Sequence, residues 1–171
     1  MFRPAQPTPT IGLACIDIFT KYAVVVPIDN KQPEEITKGV FKAVNKMGKK
    51  PKIIYTDEEG SFNSNYFQEY LKQVGISHLT TRTHPWYVER YIKTFKNLLY
   101  KRLQDIDNSW IELIEPINNV YNNKMKSSVT NFTPTEARNP DNLVYVKRNL
   151  ELNRKQNRRY PDINVGDKIK I

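Results

Sequence analysis

Apolar residues recur along this chain at two different intervals. The runs IGLACIDIF (11–19) and YAVVVPI (22–28) are rich in β-branched residues and predict two strands. The short FTK link predicts a hairpin between them, although the two-residue turn signature is absent. KIIYT (52–56) and ISHLTT (76–81) predict two further short strands, the first leading directly to Asp57. Between these runs the interval lengthens to that of a helix. Ile36, Val40, Phe41, Val44 and Met47 predict a helix over 33–47, with Pro33 at its start and Glu34 and Glu35 in its first turn. Lys46 lies near its end and Gly48 is the expected C-cap. Residues 63–75 predict a second helix, capped by Asn63 or Ser64 and closed by Gly75. The third has Pro85 in its first turn and Val88, Tyr91, Ile92, Phe95, Leu98, Leu99 and Leu103 as one buried stripe. Residues 109–123 predict a further amphipathic helix interrupted by Pro116. TPTEA (133–137) predicts a short one with Thr133 as N-cap and Glu136 three residues on.

An initial hairpin followed by alternating helices and strands predicts an α/β domain with a mixed sheet. Residues 1–10 hold three prolines and predict an extended lead, so the domain is expected over 11–138. Composition shifts near residue 139. Residues 139–160 read as a basic linker, and 161–171, with an alternating INVGDKIKI, as the first strand of a small β-barrel. There are no internal repeats, no apolar run of membrane-spanning length and no signal-peptide pattern in residues 1–16. A single cysteine, Cys15, excludes an internal disulfide, and Cys15, His78 and His84 do not make a zinc ligand cluster.

Charge narrows the partner. Lys and Arg total 27 against 18 Asp and Glu, a net +9, which favours nucleic acid over a membrane surface. On the third helix Glu89, Lys93 and Lys96 are offset by four and seven residues and share one face. That face alone reads as solvated charges with an ion pair. Asp57, a carboxylate at the end of a strand, makes it half of a candidate metal site. In the linker, Arg154, Lys155, Arg158 and Arg159 suit a phosphate backbone, or else a solvated connection. Trp86 reads as a packed aromatic and His84 as a loop histidine, or else as shaping a nucleic-acid pocket beside the third helix. Glu58 and Glu59 read as solvated loop charges, or else as touching a metal, and the ten tyrosines mostly as core or core rim.

The segments YTDEEGSF, THPWYVERYIKTFKN, YNNKMKSSVTNFTPTEA and YPDINVGDKIKI together resemble, in order and spacing, an integrase catalytic core of retroviral type. The likeness spans roughly residues 11–171 and is nearest to the integrases of Polinton (Maverick) elements and related virus-like transposons. It implies an RNase H-like fold, a mixed five-stranded sheet flanked by helices, then the start of a chromodomain-like or similar small barrel. A zinc-binding domain is expected upstream in such integrases. The implied chemistry is phosphoryl transfer with two Mg²⁺ (or Mn²⁺) ions held by a carboxylate triad, acting in DNA 3′-end processing and strand transfer.

By that likeness Asp57 is the second acid and Glu89 the third, with 31 residues between them. Lys93 and Lys96 match positions that approach the DNA end. The segment around ACIDIFTKYA matches the family's second strand, whereas the first acid belongs to the strand before it. The place of that strand is taken here by MFRPAQPTPT, which holds no acid. The core is therefore expected to lack its first strand, with Asp17 capping its turn towards Thr20 or Lys21; the alternative is Asp17 as a direct ligand. The resemblance further implies DNA as partner, a homo-oligomer and a place in a host nucleus or virus particle. Two other functions keep the same fold: a non-catalytic DNA-binding or assembly module, and a nuclease that cleaves without strand transfer.

Overall fold

A computed structural model describes residues 11–81, 86–103 and 109–156. Its strands are β1 (Ile11–Ile16), β2 (Ala23–Ile28), β3 (Ile53–Thr56) and β4 (Ser77–Thr80). Its helices are α1 (Pro33–Met47), α2 (Asn65–Gln73), α3 (Trp86–Leu103), α4 (Ile114–Lys124), α5 (Pro134–Ala137) and α6 (Leu143–Gln156), with a 3₁₀ turn at Pro140–Asn142. The expected residues 1–10 and 161–171, the barrel strand included, lie outside the described residues, as do His84, Pro85, Arg158 and Arg159.

β1 and β2 form an antiparallel hairpin with Leu13 opposite Val26, and β3 and β4 pair in parallel with Tyr55 opposite Leu79. Among the described residues the two pairs remain separate two-stranded sheets instead of joining into one. β2 is covered on both faces, and the period of two along a strand sorts its residues. Ala23 and Val25 pack with Tyr91, Phe95, Leu113, Ile114 and Ile117 from the side of α3 and α4. Val24, Val26 and Ile28 pack towards Ala43, Ile36 and Val40 of α1. The hairpin is thus the middle layer of a helix–sheet–helix sandwich. The β3–β4 pair reaches the same core through Ile54 and Ile76, which meet Phe67 and Leu71 of α2.

Local signals explain most elements. α1 starts with Pro33 in its first turn and ends at Gly48, whose φ of 65° is the left-handed conformation glycine adopts without strain. Midway, a Cβ on Gly39 would stand 2.8 Å from Ile28 and 2.9 Å from Leu13, so only glycine lets α1 lie this close to the hairpin. Ser64 caps α2 by accepting from the Phe67 N–H. At α5 the Thr133 hydroxyl accepts from the Glu136 N–H while the Glu136 carboxylate accepts from the Thr133 N–H, a reciprocal capping box.

Three elements differ from expectation. β1 ends at Ile16, because Asp17 accepts from the Phe19 N–H at 3.0 Å and the Thr20 hydroxyl at 2.6 Å and turns the chain. The link to β2 is therefore a built turn in which Lys21 takes a φ of 66°. Pro116 interrupts nothing: α4 begins at Ile114, so the proline sits in the first turn, where its missing N–H has no helical partner. The stretch from residue 143 is helical, and of its leading apolar residues only Val146 is buried while Val144 and Tyr145 are exposed. The tyrosines divide as well. Tyr91 is buried, but Tyr55, Tyr66, Tyr100 and Tyr145 are exposed.

Candidate active site and nucleic-acid interface

Asp57 follows the last residue of β3 and is exposed, on a strand end held by a chain of hydrogen bonds. The Gln68 amide meets His78 Nδ1 at 2.6 Å, and His78 Nε2 meets the Thr56 hydroxyl at 2.8 Å. That hydroxyl in turn donates to the carbonyl of Asp57 at 3.0 Å. A donor on Nδ1 assigns the ring proton to Nε2, which then donates to Thr56. Burial pushes the His78 pKa down, favouring this neutral form. After Asp57 the loop is tied back to the start of α1. Lys31 pairs with Glu59 at 2.6 Å, and the Ser61 hydroxyl donates to the Lys31 carbonyl. Glu59 is therefore an ion-pair partner as well as a loop charge.

Glu89 lies in the first turn of α3, where a carboxylate interacts favourably with the helix dipole. Glu89, Lys93 and Lys96 are exposed and follow one another up the same face. The opposite face is locked into the core by Tyr91, whose hydroxyl donates to Asn118 Oδ1 at 2.8 Å. Burial drives the Tyr91 pKa far above its ordinary value, which keeps it a neutral donor. α4 is anchored in turn to β2, since Asn122 accepts from the Ala23 N–H at 3.0 Å and donates to the Ala23 carbonyl at 2.8 Å. Hydropathy patterns mark neither Asn118 nor Asn122, which are polar, buried and central to fixing α3 and α4 against the hairpin.

Magnesium asks for a few oxygen ligands, and Asp57 and Glu89 supply that chemistry. The set falls short of a triad. Among the described residues no three His, Cys, Asp or Glu side chains gather into a group able to hold a metal ion. Asp17, Asp57 and Glu89 therefore do not come together as one site, and both Asp17 oxygens are engaged in its turn. On α6 Arg154 is exposed, and Lys155 lies one residue further along the same helix. Among the described residues, no helix is long and apolar enough to cross a membrane.

A second feature flanks α3. A cleft of about 290 Å³ opens where the β1–β2 turn and the segment after α4 meet its first turns. It contains Trp86, which is 53% exposed instead of packed. Its indole stacks on Tyr87 at 3.5 Å, and the Lys21 ammonium lies 3.9 Å above the Tyr87 ring. The sequence signal for it is the aromatic pair directly before Val88 and Glu89, with Arg90 after them.

A hairpin and a parallel strand pair packed between helices, with Asp57 directly after β3 and Glu89 on α3, make an α/β fold of the integrase-core (RNase H-like) type. Residues 6–85 match the family described as the integrase core domain. The catalytic core domain of HTLV-2 integrase, solved in complex with magnesium, is similar over 73% of this chain and 82% of that one. Its TM-score is 0.66 and its identity 25%. The Pol polyprotein of the Drosophila melanogaster transposon gypsy is 31% identical over 134 residues, and that of transposon 297 is 29% identical over 128. These matches cover 75% and 72% of this chain but only 13% and 12% of the polyproteins, so the chain spans about an eighth of their length. These relatives are retroviral and gypsy-type, which supports the broader integrase likeness and not a Polinton or Maverick origin in particular.

Proposed function

We propose that this chain is the catalytic core of an integrase that processes DNA 3′ ends and joins them to target DNA, with Mg²⁺ or Mn²⁺ as cofactor. The observation that carries this reading is the placement of Asp57 at the end of β3 and Glu89 on the first turn of α3, both exposed, within an integrase-core fold. Lys93 and Lys96 continue the Glu89 face and suit a DNA backbone, with Arg154, Lys155, Arg158 and Arg159 as a further basic stretch. The missing third carboxylate would come from outside the described residues. Because two DNA ends must be held together, the working form is expected to be a homo-oligomer. Assignment to a Polinton-type element rests on the sequence motifs alone.

One observation favours the non-catalytic alternative, a DNA-binding or assembly module: the absence of a three-carboxylate group among the described residues. A strand-transfer assay with labelled DNA ends in Mg²⁺ and Mn²⁺ separates the readings. Joined products that vanish in Asp57→Asn and Glu89→Gln support the integrase. Salt-sensitive DNA binding without any product supports the module, and nicks without joining support a nuclease.

A further inference from the structure

The cleft beside α3 is lined by three cations, Lys21, Arg90 and Lys126, and by no Asp or Glu among the described residues. On the helix, at about 100° per residue, Tyr87, Arg90 and Thr94 centre about a third of a turn from Glu89, Lys93 and Lys96, while Trp86 lies about 20° from Lys93. The cleft thus borders the proposed catalytic face at Trp86 and extends away from it through Tyr87, Arg90 and Thr94. At about 290 Å³ it lies at the low end of pockets that hold small ligands.

The chemistry of the lining is specific. Lys21 is 5% exposed, its ammonium donating to the Ile18 carbonyl and resting on the Tyr87 ring. A fixed positive charge therefore sits at the inner end of the cleft, against an aromatic wall. Trp86 stacks on Tyr87 and remains more than half exposed, so it presents a flat apolar surface at the entrance. Lys126 and Ser128 are exposed on the segment after α4, opposite Arg90 on α3. An anion joined to a planar aromatic body matches that lining.

We propose that this cleft receives one unpaired nucleotide of DNA, its base stacked on Trp86 and its phosphate between Arg90 and Lys126. The inference rests on the DNA-binding reading above and adds a strand preference to it. A base within a duplex has both faces covered by its neighbours, whereas an unpaired base offers a face to an aromatic side chain. The partly desolvated Lys21, its pKa lowered to about 8 by burial, gains from an incoming phosphate without needing to move.

The test is fluorescence anisotropy with two DNAs of equal paired length, one blunt and one carrying a single-stranded overhang of roughly five nucleotides. The overhang DNA is expected to bind about tenfold more tightly. Trp86→Ala should abolish that advantage, Trp86→Phe should keep most of it, and Lys126→Ala should reduce it and flatten its salt dependence. Thermal melting of each variant shows whether the fold persists. Should Trp86→Ala melt early, the exposed Lys126→Ala carries the test. Equal affinity for both DNAs, or an advantage that survives Trp86→Ala and Lys126→Ala, overturns the cleft and leaves the DNA-binding reading standing. No binding of either DNA overturns both.

Discussion

Asp17 and Asp57 each follow the last residue of a strand, and their surroundings give them different work. Asp17 holds a turn with two hydrogen bonds, so Asp17→Ala should cost about 2 kcal/mol. For a chain of this size that lowers the melting temperature by roughly 4–8 °C. Asp57 is exposed and its side chain makes no hydrogen bond among the described residues, so Asp57→Asn should leave melting almost unchanged. On the integrase reading it should cut strand transfer at least about 100-fold. His78 adds a pH dependence. Its folded pKa lies below the unfolded value of about 6.5, so the unfolded state takes up its proton first as pH falls. Its contribution to stability is therefore present above that pH and is lost below it. Urea melts of the parent and His78→Gln should diverge less as pH drops from 7 to 5.

At the scale of elements, local chemistry was the readable part. Pro33 and Gly48 bound α1, and Thr133 and Glu136 make the capping box, because each signal acts within a turn or two of itself. Elements fixed from far along the chain left no such mark. Pro116 reads as a break until the turn that starts α4 is known, and α6 is masked by apolar residues that mostly stay in solvent. Asn122 is the clearest case, a polar residue in an amphipathic stretch whose partner Ala23 is 99 residues away. Asn122→Ala should cost about 3 kcal/mol, since it strands a buried N–H and carbonyl together, and denaturant titration measures it. The candidate site divides the same way. Asp57, Glu89, Lys93 and Lys96 were visible through periodicity and family likeness, while the cleft required knowing that Lys21, Trp86 and Lys126 meet.

For the molecule as a whole, the integrase-core fold was legible because alternation of strand and helix, net charge and motif order all agreed. The separation of the sheet was not legible: the alternation predicts one mixed sheet, whereas the two described strand pairs share no ladder. The charge of +9 makes one global expectation. DNA affinity should fall steeply with salt, and Lys93→Ala with Lys96→Ala should reduce the slope of log K against log salt by about 2. Binding isotherms at several salt concentrations check it.

Among the described residues the two strand pairs share no ladder, so no sheet hydrogen bonds tie their openings together. Packing of α1 and α2 on Ile28, Ile54 and Ile76 couples them, with the Lys31–Glu59 and Ser61–Lys31 contacts adding a surface tie. Native-state amide exchange should therefore resolve two cooperative units. Amides of β3, α2 and β4 should exchange through a partial opening, while those of β2, α3 and α4 wait for global unfolding. Limited proteolysis would then begin around the loop that carries Asp57, which makes the strand end proposed for catalysis also the first part of the core to come loose.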